Sequence, residues 1–333
     1  LWQVKSPINN YTIVPYIGKY AHFNTIYNGE KGELDMSYWV LEENLAKAKA
    51  HFAATAKMMK AFEYWLGPYP FYEDSYKLVE APYLGMENQS AIAYGNGYKT
   101  GYLGEDRSGT GIGLKWDFII VHESAHEWFG NSITTQDIAD MWVHEAFATY
   151  SEVLYTDYYY GKEAGNTYCT GLRKNILNDK PIIGTYNVNK EGSADMYDKG
   201  AGMIHNIRQV MNNDSLFRKL LRNMDSVFYK QSVTSRQIEN FISRESGIDF
   251  STVFDQYLRT TQIPVLEYKF TNNIFSYRWA NCITGFNMPL KTNLKKEQWI
   301  HPSEKWQEFN LSSKEYNNFS VDANFYINTK KVD

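Results

Sequence analysis

Cysteine is almost absent from this chain: its 333 residues include only Cys169 and Cys282. A disulfide-built scaffold is therefore excluded, and so few thiols leave the redox compartment open. There is no basic excess either. Lys and Arg number 34 against 38 Asp and Glu, a net charge of -4, which argues against a nucleic-acid surface and its basic stripe. No apolar run approaches the roughly 20 residues of a membrane span, the longest being stretches such as Trp116 to Val121. Internal repeats, low-complexity tracts and coiled-coil heptads are missing. No charged-then-apolar leader precedes Leu1, so the chain reads as an excised or processed piece, and a secreted, periplasmic or cytoplasmic setting all stay open. What is present is globular: 43% hydrophobic and 22% charged residues supply a large core and exclude global disorder. The length corresponds to roughly two domains. An aromatic content of 16% suits large, half-wet grooves.

Along the chain, residues 1–36 read as the tail of an all-β unit. Tyr11 to Ile17 is β-branched and aromatic, and Asn28-Gly29 and Lys31-Gly32 are turn signals. Ser37 is expected to cap a long helix reaching Leu66, which Gly67-Pro68 closes. Tyr76–Pro82 and Ser90–Tyr94 read as short strands around Gly85-Met86-Glu87-Asn88. The glycine-rich stretch from Gly95 to Gly113 lacks the Gly-Lys-Ser/Thr ending of a phosphate loop. From Leu114 to about Thr261 the pattern is helical, and after Pro264 it alternates as in a small β-sandwich.

The chemistry concentrates in Ile120-Val-His-Glu-Ser-Ala-His-Glu-Trp-Phe-Gly130. On a helix, His122 and His126 project one above the other. That spacing lets two imidazoles bind one Zn²⁺, while Glu123, one step round, reaches a water beside the ion. Eighteen residues separate His126 from Glu145 in Asp140-Met-Trp-Val-His-Glu-Ala-Phe-Ala-Thr-Tyr-Ser-Glu152. A helix, a turn and a returning helix fit that interval and would face Glu145 towards the histidines. Two His and one carboxylate leave a fourth tetrahedral position for water, as catalytic rather than structural zinc requires. A third histidine, six residues past His126, is missing: Ser132 stands there. His144 should point off the ligand face.

These segments resemble the M1 zinc aminopeptidases. The family's His-Glu-x-x-His, eighteen-residue gap and Glu stand as His122, Glu123, His126 and Glu145. Its Trp-Phe-Gly-Asn stands as Trp128 to Asn131, its Gly-x-Met-Glu-Asn as the shortened Gly85-Met86-Glu87-Asn88, and its Tyr-x-Lys-Gly-Ala as Tyr197 to Ala201. One departure is His144-Glu145-Ala146, where the family often has Asn-Glu-Gly.

The resemblance implies an α+β fold. A thermolysin-like, mostly helical catalytic domain with a small sheet would occupy 37–262. A remnant N-terminal β segment (1–36) and a C-terminal β-sandwich (263–333) would flank it. It implies one Zn²⁺ per chain held by His122, His126 and Glu145, with Glu123 as general base and acid and Tyr197 on the oxyanion. Glu87 would bind the α-ammonium of peptides with a free N-terminus. Gly85, Met86 and Asn88 would complete the substrate site, Gly85 and Met86 through the backbone, and Glu152 would orient a ligand histidine. The family's full N-terminal domain and its C-terminal helical domain are not in evidence along this chain. An inactive peptide-binding zinc protein and a bifunctional epoxide hydrolase remain alternatives.

Overall fold

A computed structural model describes residues 3–294, 298–311 and 318–333. The parts of the expected β-sandwich that fall on 295–297 and 312–317 lie outside the described residues. Strands β1 (Tyr20–Gly29) and β2 (Gly32–Leu41) form a hairpin, followed by helices α1 (Leu45–His51) and α2 (Ala54–Leu66). Strands β3 (Tyr76–Glu80), β4 (Gly85–Met86) and β5 (Ile92–Tyr94) complete a five-stranded sheet of order β1-β2-β3-β5-β4. β2, β3 and β5 run parallel, and β1 and β4 are antiparallel edge strands.

The helix expected from Ser37 is corrected: Ser37 lies inside β2, and helix starts only at Leu45. The buried residues Met36, Tyr38 and Val40 recur every second position, the period of a half-buried strand, and the aromatic and β-branched types favour it. β2 thus crosses residue 36 and joins the sheet that carries Gly85. Nor is Tyr11–Ile17 a strand. It holds one 3₁₀ turn (Asn10–Thr12) and otherwise runs irregularly. Pro15 has no N–H to give a ladder.

Helices then take over: α3 (Phe118–Ala125), a short strand β6 (Ile133–Thr135), α4 (Trp142–Tyr160), α5 (Lys162–Leu172), α6 (Asp198–Met211) and α7 (Asp214–Val227). Strand β7 (Gln231–Val233) pairs with β6 and leads to α8 (Ser235–Ser246) and α9 (Ser251–Arg259). Among the described residues, no helix is long and apolar enough to cross a membrane. The chain finishes in β8 (Val265–Thr271), β9 (Ile274–Ala280), β10 (Leu290–Lys291), β11 (Trp299–Ile300), β12 (Gln307–Asn310) and β13 (Asn328–Lys331). Four of these form a sheet of order β12-β9-β8-β13, and β10 pairs with β11. Tyr257 in α9 donates to the Tyr326 carbonyl at 2.5 Å, and Asn206 in α6 accepts from Tyr326 N–H at 2.7 Å, fastening this region to the helices.

One buried acid is expected to limit stability. Asp225 in α7 is 4% exposed, and among the described residues its Oδ1 has no hydrogen-bond partner. Burial pushes its carboxyl up to about 8, with Lys31 and Arg222 opposing only in part. A raised folded-state value gives a contribution that is full below the unfolded value near 4 and is lost as pH rises through about 8. Asp225→Asn should therefore add at least about 1 kcal/mol at pH 8, roughly 2 °C in Tm, and less at pH 5.5. Thermal melts at the two pH values check this; an equal shift at both would contradict it.

Candidate metal centre and active site

α3 is short and wholly buried. Asp117 caps it, its Oδ1 accepting from Ile120 N–H at 3.1 Å, which satisfies one of the orphan donors of the first turn. His126 follows the last helical residue but keeps helical backbone angles (φ -63°, ψ -18°), so both imidazoles point the same way. Their Nε2 atoms lie 3.3 Å apart. On the far side of the rings, His122 Nδ1 lies 2.7 Å from Glu152 Oε1 and His126 Nδ1 lies 2.9 Å from the Phe129 carbonyl. A carbonyl only accepts, and Glu152 Oε2 already accepts from the Tyr168 hydroxyl at 2.6 Å. Both histidines therefore donate from Nδ1, and both Nε2 atoms face the cleft.

Glu145 stands on the expected second helix, but the interval before it holds a strand as well as a turn. After His126 the chain turns through Gly130 (φ +128°), enters β6, and reaches α4 with Glu145 in its first turn. The β-branched Ile133-Thr134-Thr135 favours strand over helix here. Glu145 Oε2 stands 3.6 Å from His122 Nε2 and 3.4 Å from His126 Nε2, buried and without a hydrogen-bond partner among the described residues. An unsatisfied buried oxygen costs about 1–3 kcal/mol, more when charged; a cation between the three atoms removes that cost. All three lie within 4.8 Å of one another, a span that bonds of about 2.0–2.2 Å to one ion can bridge.

The electrostatics ask for the same positive charge. Burial alone would lower both imidazoles, yet Glu145 and Glu152 raise His122 to about 10, and Glu145 raises His126 to about 9. Burial would raise Glu145, yet the two histidines hold its carboxyl far below the ordinary range. His144 takes no part. Its Nε2 accepts from Thr135 N–H at 3.0 Å, and burial and the nearby His126 push it down to about 4.

Glu123 and Glu87 meet across the cleft, where Glu87, Glu123 and His126 also bring ligand-type atoms within 4.8 Å of one another. Burial is the main cause raising Glu123 to about 7, Glu87 and Glu145 adding and the histidines opposing. Gly85 is required for this approach, since a Cβ there would sit 2.7 Å from Glu123 Oε1 and 3.0 Å from Ile119 Cδ1. As an edge strand, β4 leaves one side of Gly85 and Met86 without a strand partner. Asn88 turns the other way, its amide donating to the Tyr16 hydroxyl at 2.6 Å.

Tyr197 sits at the start of α6, its ring 6.0 Å from that of His122 and roughly parallel to it. α6 packs unusually close to α4: a Cβ on Gly200 would lie 2.6 Å from Ala146 Cβ. Buried Lys199 anchors the same turn by donating to the Thr260 carbonyl at 2.9 Å. Burial, then the Glu145 charge, push the Tyr197 phenol up, so it keeps its proton.

Other contributors received no role from the sequence. Tyr168 carried no signal beyond being one of 27 tyrosines. Glu127, fully buried and raised to about 8 by burial, accepts from Ser90 N–H at 2.8 Å and Tyr69 at 3.0 Å, holding the turn after Asn88. Asn131 donates to the Glu87 carbonyl at 2.9 Å; its place beside the two histidines was the available hint. Arg107 pairs with Asp198 at 3.0 Å and lies 5.1 Å from the centre of the Phe118 ring, which in turn stacks on His122. A separate cavity of about 440 Å³ behind α3 is lined by His51, Trp116, Ile120 and Tyr159, and none of the site residues borders it.

Comparison with known proteins places these features in context. The model of the peptidase family M1 domain matches residues 50–257. Leukotriene A-4 hydrolase of Xenopus laevis is 25% identical over 251 residues, 71% of this chain and 38% of that protein. Aminopeptidase N of Lactococcus lactis subsp. lactis is 26% identical over 246 residues, 65% of this chain and 28% of its own. The chain thus spans well under half the length of these relatives. Among solved structures, Legionella pneumophila aminopeptidase A in complex with aspartic acid superimposes with a TM-score of 0.73 at 14% identity, over 94% of this chain and 38% of the other. A mutant M1 zinc metallopeptidase from Deinococcus radiodurans, bound to a Tyr-Ser-Ala substrate, gives 0.63 at 20% identity over 77% and 55%. At these identities the structural likeness speaks for the fold.

Proposed function

Because the chain belongs to peptidase family M1, we propose that it is the catalytic part of a zinc-dependent aminopeptidase that removes the first residue of peptides with a free N-terminus. The observation that carries this reading is the Glu145 oxygen, without a hydrogen-bond partner among the described residues, facing two imidazole Nε2 atoms, with the buried Glu87 carboxylate across the same cleft. His122, His126 and Glu145 would hold the zinc, and Glu152 and the Phe129 carbonyl keep the two rings in the required tautomer and orientation. When bound, zinc brings the pKa of water towards neutrality and withdraws electron density from the scissile carbonyl.

Glu123 takes the proton of the attacking water and passes it to the departing amine. Tyr197 donates its hydroxyl to the oxygen of the scissile carbonyl as negative charge grows there. Glu87 receives the α-ammonium in a charge-assisted bond, which places the first peptide bond, and no later one, beside Glu123. The open side of β4 offers Gly85 and Met86 backbone groups to an extended substrate.

Metal analysis tests the centre. The purified chain should carry close to one zinc per molecule. Glu145→Ala should weaken it by about 10²-fold or more and Glu152→Gln by about 10–100-fold, the usual effect of losing a ligand's hydrogen-bond partner. Zinc affinity untouched by Glu145→Ala would remove that residue from the ligand set.

A further inference from the structure

The segment before β1 is tied to both halves of the site. Lys5 and Ser6 N–H donate to the Asp74 carboxylate, Gln89 donates to the Pro7 carbonyl at 2.9 Å, and Tyr16 donates to the Ala91 carbonyl at 3.1 Å. Asn9 donates to the Gly130 carbonyl at 3.2 Å and to Thr134 at 2.9 Å, in the turn and strand β6 that follow the histidines. Between these fastenings Tyr11 reaches the cleft, where its hydroxyl donates to Glu87 Oε1 at 3.3 Å. The residue as a whole is 42% exposed, which leaves room for a ligand at Glu87 to meet it.

We propose that Tyr11 is a specificity residue for the substrate α-ammonium, orienting the Glu87 carboxylate with its O–H and accepting one ammonium N–H on its own oxygen. An ammonium group brings three donors, and one carboxylate seldom satisfies all of them. A phenol that donates to that carboxylate keeps its oxygen lone pairs for the same cation. Burial, then the Glu87 charge, push the Tyr11 phenol up and keep it in this donating form. The inference rests on the aminopeptidase reading and extends it to a residue outside every recognised motif.

Binding to the zinc-loaded chain, measured by calorimetry, tests it with two probes: phenylalanine hydroxamate and its counterpart lacking the α-amine, 3-phenylpropanohydroxamate. Tyr11→Phe should weaken the amine-bearing probe about 10–150-fold, the range for a hydrogen bond to a charged group, and change the other less than twofold. Equal weakening of both probes, or none for the amine-bearing one, overturns the proposal. Glu87→Gln, run alongside, separates the two levels. If it leaves the preference for the amine intact, the aminopeptidase reading falls and Tyr11 with it. If it abolishes that preference while Tyr11→Phe does not reduce it, only the role of Tyr11 falls.

Discussion

Glu123→Gln should lower kcat by about 10³–10⁴ while zinc content stays at one per chain. General acid–base catalysis is typically worth 10²–10⁴, and here one side chain serves both transfers. The amide matches the carboxylate in shape but cannot accept the proton. Zinc retention follows because the metal is assigned to His122, His126 and Glu145, whose atoms converge without Glu123. The fold should tolerate the change, since a neutral amide is easier to bury than a carboxylate that burial already raises to about 7. The check is single-turnover kinetics together with metal analysis and a thermal melt. Near-parental turnover in a zinc-replete variant would show that another base does the work.

The second large effect is expected at Tyr197. Tyr197→Phe should reduce kcat by about 10²–10³ and leave KM within a few-fold, the pattern of an interaction made only in the transition state. The ring's position is set from outside itself. Gly200 lets α6 approach Ala146, and Lys199 ties that turn to the end of α9. Phenylalanine keeps the ring beside His122 and deletes only the hydroxyl. Burial and Glu145 keep that hydroxyl protonated, so the deficit should be constant from pH 6 to 9. A rise in KM at unchanged kcat would instead make Tyr197 a ground-state binding residue.

The histidine pair was legible because its four-residue spacing maps directly onto one helix face, and α3 presents it that way. The Glu87 and Tyr197 positions were readable only through motif resemblance, because chain separations of tens of residues carry no geometry, whereas the interval after His126 pointed to Glu145. The route to Glu145 shows the limit: the returning helix is there as α4, but the interval also contains β6, which its length alone did not reveal. β2 was misread for a related reason. Trp39 and Leu41 fit a helical stripe continued from Leu45, yet Met36, Tyr38 and Val40 are buried at period two, and pairing with β3 decided between them. Tyr168 and Tyr11 left no local trace, since each acts on a carboxylate distant in sequence.

The account's central claim is that this cleft recognises a free N-terminus beside a metal-activated water. The ratio of kcat/KM for an aminoacyl-amide reporter to that for its N-acetyl form measures it most directly. A site built around a buried carboxylate rejects a ligand that leaves it unpaired, so the free amine should be favoured by about 10³ or more, and chelation followed by zinc should abolish and then restore its turnover. Comparable cleavage of the acetylated reporter, or turnover indifferent to the chelator, would contradict it.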